Sequence, residues 1–127
     1  MTFKDQLESV RNNGYSIQYI QNPSLQIQLE SVKEDGYSIQ FISNPSKQVQ
    51  LESVRQNGYS IYHIKNPSKQ VQEQAVKQNP YSIKYIPNPT IKIIELALSN
   101  DKNLISKINI SHLPLHEQNY LKLKYCL

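Results

Sequence analysis

The sequence predicts an all-α, right-handed α-solenoid of four to five 22-residue two-helix repeats, closed by a divergent C-terminal helical cap. Three observations lead there. A unit that reads Asn44-Pro45-Ser46 through Gly58-Tyr59-Ser60-Ile61 to Lys65 recurs one period earlier, from Asn22 to Ser43, and one period later, from Asn66 to Pro87. Apolar residues stand in columns at that period, so each unit buries its face against its neighbours and not alone. Finally, the 127 residues are only 38% hydrophobic and contain no Trp, which suits the thin core of a solenoid better than a thick globule. The reading is one domain, 1–127, with the array at 1–88 and the divergent last repeat and cap at 89–127.

Within a unit, Asn-Pro-Ser reads as a helix start. The Asn side chain would accept from first-turn amides, and Pro would sit at N1, where its missing N–H costs nothing. The helix should run from Pro45 to about Asn57 and stop at Gly58 with φ > 0. Tyr59 and Val54 would then make the hydrophobic contact of a Schellman ending, repeated by Val10 with Tyr15, Val32 with Tyr37 and Val76 with Tyr81. The second element has two readings. Tyr15-Ser16-Ile17-Gln18-Tyr19-Ile20 alternates like a strand, and helix-plus-strand units would make an α/β leucine-rich-repeat-like horseshoe. A short second helix, half as long as the first, is preferred. The Leu positions of such a horseshoe are missing, and Ile20, Ile42, Ile64 and Ile86 break the alternation in every copy.

The expected core columns are Ile27/Val49/Val71/Ile93, Val10/Val32/Val54/Val76/Leu98, Ile17/Ile39/Ile61/Ile83 and Ile20/Ile42/Ile64/Ile86. Ser9, Ser31, Ser53 and Ala75 form a small-residue column that lets helices approach. At the N-terminus, Thr2 and Asp5 have the spacing of a capping box, and Asp5 replaces the apolar residue of the later units. From Pro89 the pattern drifts: Lys102 stands where Gly is expected, and Ile91, Ile94 and Leu96 replace polar residues. Those three are expected to lie under a C-terminal cap, the alternative being a homodimer surface. A last helix is expected from near Pro114 through Tyr125.

Val54-Arg55-Gln56-Asn57-Gly58-Tyr59-Ser60-Ile61-Tyr62 and Val76-Lys77-Gln78-Asn79-Pro80-Tyr81-Ser82-Ile83-Lys84-Tyr85 resemble a family of short repeats of unknown function. Its members read roughly Ala-Val-Lys-Gln-Asn-Gly-Tyr-Ala-Leu-Gln-Tyr-Val and occur in phage, giant-virus and bacterial proteins. The resemblance covers about residues 6–88 and implies an all-α solenoid. It carries no catalytic motif and assigns no site residues.

The residues themselves argue against enzyme chemistry. No phosphate loop, nucleophile motif or metal-ligand spacing is present, and no metal or cofactor is expected. His112 and His116 are four apart, but Pro114 between them opposes a shared helical face. His63 is expected as a half-buried packing residue, and Cys126 as inert. No apolar run approaches the ~20 residues of a membrane span, Met1-Thr2-Phe3-Lys4-Asp5 does not resemble a signal peptide, and the single Cys favours a reducing cytoplasmic compartment, the host cytosol for a viral protein.

Function is therefore sought on the outer face. Arg11, Lys33, Arg55 and Lys77 should form a basic ladder, with Glu8, Glu30 and Glu52 three residues before the first three and able to pair within each helix. Residues 1–44 carry a net −2 and residues 45–127 a net +6. The expected partner-binding residues are Arg55, Lys65, Lys69, Lys77 and Lys84, with Gln50, Gln72 and Tyr62 from outward-pointing columns. The expected function is a non-enzymatic helical-repeat protein that grips a protein or ribonucleoprotein. The phage-type resemblance suggests, by analogy, an inhibitor of a host defence complex such as a CRISPR effector. The alternative is direct RNA or DNA binding by the basic half.

Overall fold

The structure is a computed structural model and describes residues 1–125. Among those residues are six α-helices of ten residues each: α1 (Phe3–Asn12), α2 (Leu25–Glu34), α3 (Lys47–Gln56), α4 (Lys69–Gln78), α5 (Ile91–Asn100) and α6 (Leu115–Lys124). Each of the first five is followed by a six-residue 3₁₀ helix: η1 (Gly14–Tyr19), η2 (Gly36–Phe41), η3 (Gly58–His63), η4 (Pro80–Tyr85) and η5 (Lys102–Lys107). Successive units pack on one another in chain order. The fold is an all-α repeat solenoid of five units, and the described residues contain no strand, which removes the horseshoe.

A period of three explains the second element, where neither 3.6 nor 2 fits. A 3₁₀ helix has about three residues per turn, so Gly14, Ile17 and Ile20 fall on one side, and all three are buried. Gly36/Ile39/Ile42 and Gly58/Ile61/Ile64 repeat the arrangement.

The starts of the α-helices lie two residues later than expected. The cap is Ser24, Ser46, Ser68 or Thr90, whose hydroxyl oxygen accepts from the amide of Ile27, Val49, Val71 or Ile93 at 3.3 Å. Asn22, Asn44, Asn66 and Asn88 cap nothing there. They hold left-handed φ values of 52°, 50°, 50° and 49°, a region that Asn tolerates better than most residues. Pro thus precedes the cap and does not occupy N1.

The ends also differ. No glycine has positive φ, so there is no Schellman stop. An extended Asn13, Asp35, Asn57, Asn79 or Asp101 ends each of the first five α-helices, and its side chain accepts from the amide two residues on, at 2.9–3.0 Å, to cap the 3₁₀ helix. The glycines are needed for close approach between units. A Cβ on Gly14 would lie 2.6 Å from both the Ser31 carbonyl oxygen and Ser38 Oγ, and one on Gly36 2.6 Å from the Ser53 carbonyl oxygen and 2.7 Å from Ser60 Oγ. Ser31 Oγ donates to the Gly14 carbonyl (2.8 Å) and Ser53 Oγ to that of Gly36 (2.7 Å). The small-residue column is therefore a hydrogen-bonding column too, until Ala75 interrupts it.

All four predicted apolar columns are buried, Ile93 and Leu98 of the fifth unit included, and that unit adds Ile105. Thr2 and Asp5 form the expected capping box. At the other end Ile94 is fully buried, and Ile91 and Leu96 are half-buried against the core. α6 supplies the fully buried Leu121, and Lys124 reaches Glu95 at 3.1 Å. Leu121 thereby joins α6 to the core, and the fully buried Ile94 presents nothing to a second copy. No helix among the described residues is long and apolar enough to cross a membrane. Cys126 lies outside the described residues.

Candidate binding face

Each junction between units leaves a depression on one edge of the stack, built from the same columns each time. The first is lined by Ile20, Asn22, Pro23, Gln28 and Phe41, with a volume of about 350 Å³. The second has Ile42, Asn44, Pro45, Gln50, His63 and Lys65 in about 390 Å³. The third has Tyr62, Ile64, Asn66, Pro67, Gln72 and Tyr85 in about 590 Å³. The fourth, of about 370 Å³, has Ile86, Asn88, Pro89 and Lys107 at the corresponding places. Ile from the end of one 3₁₀ helix makes the floor. The left-handed Asn and its Pro make one side, and a residue from the next 3₁₀ helix makes the other.

Local hydrogen bonds hold the walls. Gln28, Gln50 and Gln72 donate their Nε2 to the carbonyls of Pro23, Pro45 and Pro67 at 3.0, 3.0 and 3.2 Å. The Gln column is thus half-buried and tied to its own backbone, where the sequence suggested a free outer ladder. The side chains of Asn22, Asn44, Asn66 and Asn88 are exposed and take part in no hydrogen bond among the described residues.

Aromatic rings bind neighbouring units on this side. Tyr15 meets Phe41, Tyr37 meets His63 and Tyr59 meets Tyr85 edge-on, with centroids 5.2, 5.8 and 5.8 Å apart. These pairs join each unit to the next. Tyr62 is 67% exposed and stands edge-on to both His63 and Tyr85 at 5.1 Å. Lys84 Nζ lies 5.0 Å from the Tyr59 ring centre and 5.1 Å from that of Tyr85, within cation–π range. His63 itself is exposed, not half-buried.

The charges elsewhere are paired differently from the simple helical ladder. Arg55 bonds Glu52 within its helix at 3.8 Å, but Arg11 crosses to Glu30 of the next unit at 3.5 Å. Lys92 crosses back to Glu73 at 2.9 Å. That hydrogen bond, with the charges of Lys92 and Lys77, holds the Glu73 carboxyl below its ordinary pKa. Burial pushes the Tyr15 phenol up, and acceptance by Asp101 (2.8 Å) does the same for Tyr81. Lys124 is held strongly protonated by Tyr120 and Glu95.

The expected partner-binding residues therefore separate. Lys65, Gln50, Gln72, Tyr62 and Lys84 line the depressions. Arg55 and Lys77 sit in the last turns of α3 and α4, roughly 12 Å along the helix from its start. Lys69 opens α4 but lines none of the four. Sequence reasoning missed the Asn-Pro, Ile and aromatic columns as walls of one repeating depression. The available signal was the Asn-Pro recurring at a fixed period. Among the described residues no three His, Cys, Asp or Glu side chains gather as metal ligands, and His112 Nε2 contacts the Pro89 carbonyl at 2.6 Å. Comparison with family models, curated proteins and solved structures finds no match to this chain.

Proposed function

We propose that the protein is a non-enzymatic binding module that holds an extended segment of a protein partner along its row of four depressions. The observation that carries this reading is the recurrence of one set of wall residues at 22-residue spacing. Packed helices stand ~8–10 Å apart. A polypeptide in the polyproline II conformation advances ~9 Å every three residues. One side chain in three could then enter successive depressions, while the exposed Asn amides meet its backbone. Lys65, Lys84 and Lys107 lie in the later depressions, so an acidic segment fits the C-terminal end best. Inhibition of a host defence complex such as a CRISPR effector is one form such gripping would take.

Nucleic acid is the second reading, favoured by an exposed Tyr62 on the same row of depressions as Lys65 and Lys84. Capture from lysate with tagged protein, with and without nuclease, separates the two. The expected result is a partner that survives nuclease, is lost with Lys65→Glu/Lys84→Glu and is retained with Arg55→Glu/Lys77→Glu. Capture abolished by nuclease, together with a steep log–log dependence of affinity on salt, would establish nucleic acid instead.

A further inference from the structure

The fourth depression differs from the other three by a missing ring. In the first three junctions Tyr15, Tyr37 and Tyr59 meet Phe41, His63 and Tyr85. The next pair in the series is Tyr81 and Lys107. A lysine cannot fill the space of a ring, and the depression there extends to Tyr81, over the apolar side chains of Ile83, Ile86 and Leu104. Tyr81 is 44% exposed, and its hydroxyl is anchored on Asp101 at 2.8 Å. The ring is thus fixed in place with no ring paired to it among the described residues, while His112, held on the Pro89 carbonyl, lines the same depression. Lys84 and Lys107 stand in the wall, and among the described residues no carboxylate lines it.

We infer that this vacancy is a specificity pocket for an aromatic side chain of an acidic peptide, whose ring takes the place left by the absent fourth partner. Edge-on contact with Tyr81 completes the ladder from outside, and carboxylates flanking the incoming ring pair with Lys84 and Lys107. A peptide is favoured over a nucleobase because the occupants of the three equivalent spaces are side chains on a backbone, seated over an aliphatic floor. The inference rests on the binding-module reading and names what the last depression of the row selects.

The test is fluorescence anisotropy with a labelled Glu-Asp-Phe-Asp-Glu peptide. Its Phe→Ala form, a Lys-Arg-Phe-Arg-Lys peptide and a single-stranded oligonucleotide run in parallel. The protein variants are Lys107→Phe, which supplies the missing ring, and Lys65→Glu, which changes the second depression only. The expected result is that the acidic Phe peptide binds, and that its Ala form and the Lys107→Phe protein each weaken binding about tenfold or more, the scale of a lost aromatic pair and its buried area. Thermal unfolding should show Lys107→Phe folded and at least as stable as the parent, so lost binding cannot be ascribed to unfolding. Equal binding of the Ala peptide, no effect of Lys107→Phe, absence of binding or preference for the oligonucleotide would each overturn the inference. Binding weakened by Lys65→Glu and untouched by Lys107→Phe would overturn it while leaving the row of depressions in place as a binding face.

Discussion

The first three junctions of the stack and the fourth use the same core and different surfaces. In the first three, a glycine (Gly14, Gly36, Gly58) faces a small residue (Ser31, Ser53, Ala75) and a serine (Ser38, Ser60, Ser82) of the next unit, and no Cβ fits between them. At the fourth, Pro80 takes the glycine place and Leu104 the serine place, while the Tyr–aromatic pair becomes Tyr81 and Lys107. Yet Ile83, Ile86, Ile93, Leu98 and Ile105 stay buried on both sides of it. The apolar columns run on across the junction where the glycine, serine and ring columns stop, joined there by the Tyr81–Asp101 and Lys92–Glu73 contacts. The glycines, serines and rings set how closely the units approach at the edge, and where they change the edge opens. Architecture and binding surface thus reside in different columns of one repeat.

The largest effect should follow from deleting everything after the fourth junction. A 1–88 fragment uncovers Ile83 and Ile86 and loses the Leu121 cover, so circular dichroism and gel filtration should show unfolding or aggregation. A soluble fragment with a cooperative thermal transition would mean that the fifth unit and α6 are appended to the array and do not support it.

Next comes the glycine place. Gly58→Val puts a side chain against the Ala75 carbonyl and Ser82 Oγ, and overpacking of this kind costs ~1–3 kcal/mol. Even Gly36→Ala should destabilise, because its Cβ would fall 2.6 Å from the Ser53 carbonyl oxygen. Without that neighbour, Ala for Gly at negative φ would stabilise a helix by up to ~1 kcal/mol, so the sign in urea unfolding is decisive. Pro80→Gly, at the open junction, should change stability by no more than ~1 kcal/mol, chiefly through the unfolded chain.

Two serines of one junction give a smaller contrast. Ser53→Ala removes the 2.7 Å bond to the Gly36 carbonyl and should cost ~1 kcal/mol, since buried hydrogen bonds contribute on that scale. Ser60 Oγ is buried with no hydrogen-bond partner among the described residues, so Ser60→Ala should be neutral or stabilising in the same assay. A loss at Ser60 equal to that at Ser53 would mean that its hydroxyl does find a partner.

The smallest effect concerns the charges across the fourth junction. The Glu73 carboxyl is held below its ordinary value of 4.5, first by the hydrogen bond from Lys92. A depressed carboxyl contributes stability that is present above its unfolded pKa and fades as pH falls through the folded one. Acid titration of the melting temperature should therefore show a slightly shallower decline below pH 4.5 for Lys92→Ala than for the parent. Because the pair is exposed, high salt should remove most of that difference.

The 22-residue period, the two-element unit, the four apolar columns, the Thr2–Asp5 box and the final helix could all be read from the chain. Each is written in local spacing or in burial preference, and a residue such as Ile27 or Val54 has only one place to go in a stack. The glycine stop and the Asn cap could not be read correctly. Gly58 after a helix is equally compatible with a left-handed turn and with a close neighbour, and Asn44 before Pro with a cap and with a left-handed bend. Only the position of the next unit decides between them. The same holds for the binding face. Lys65, Lys84 and Tyr62 were visible as outward residues, but Lys107 became informative only once Tyr15, Tyr37 and Tyr59 were seen to reach rings 26 residues onward. Periodicity determines which residues recur, because it acts along the chain. Which recurring residues touch is a property of the distance between units, set by the Cβ that Gly14, Gly36 and Gly58 lack and by the ring that Lys107 does not provide.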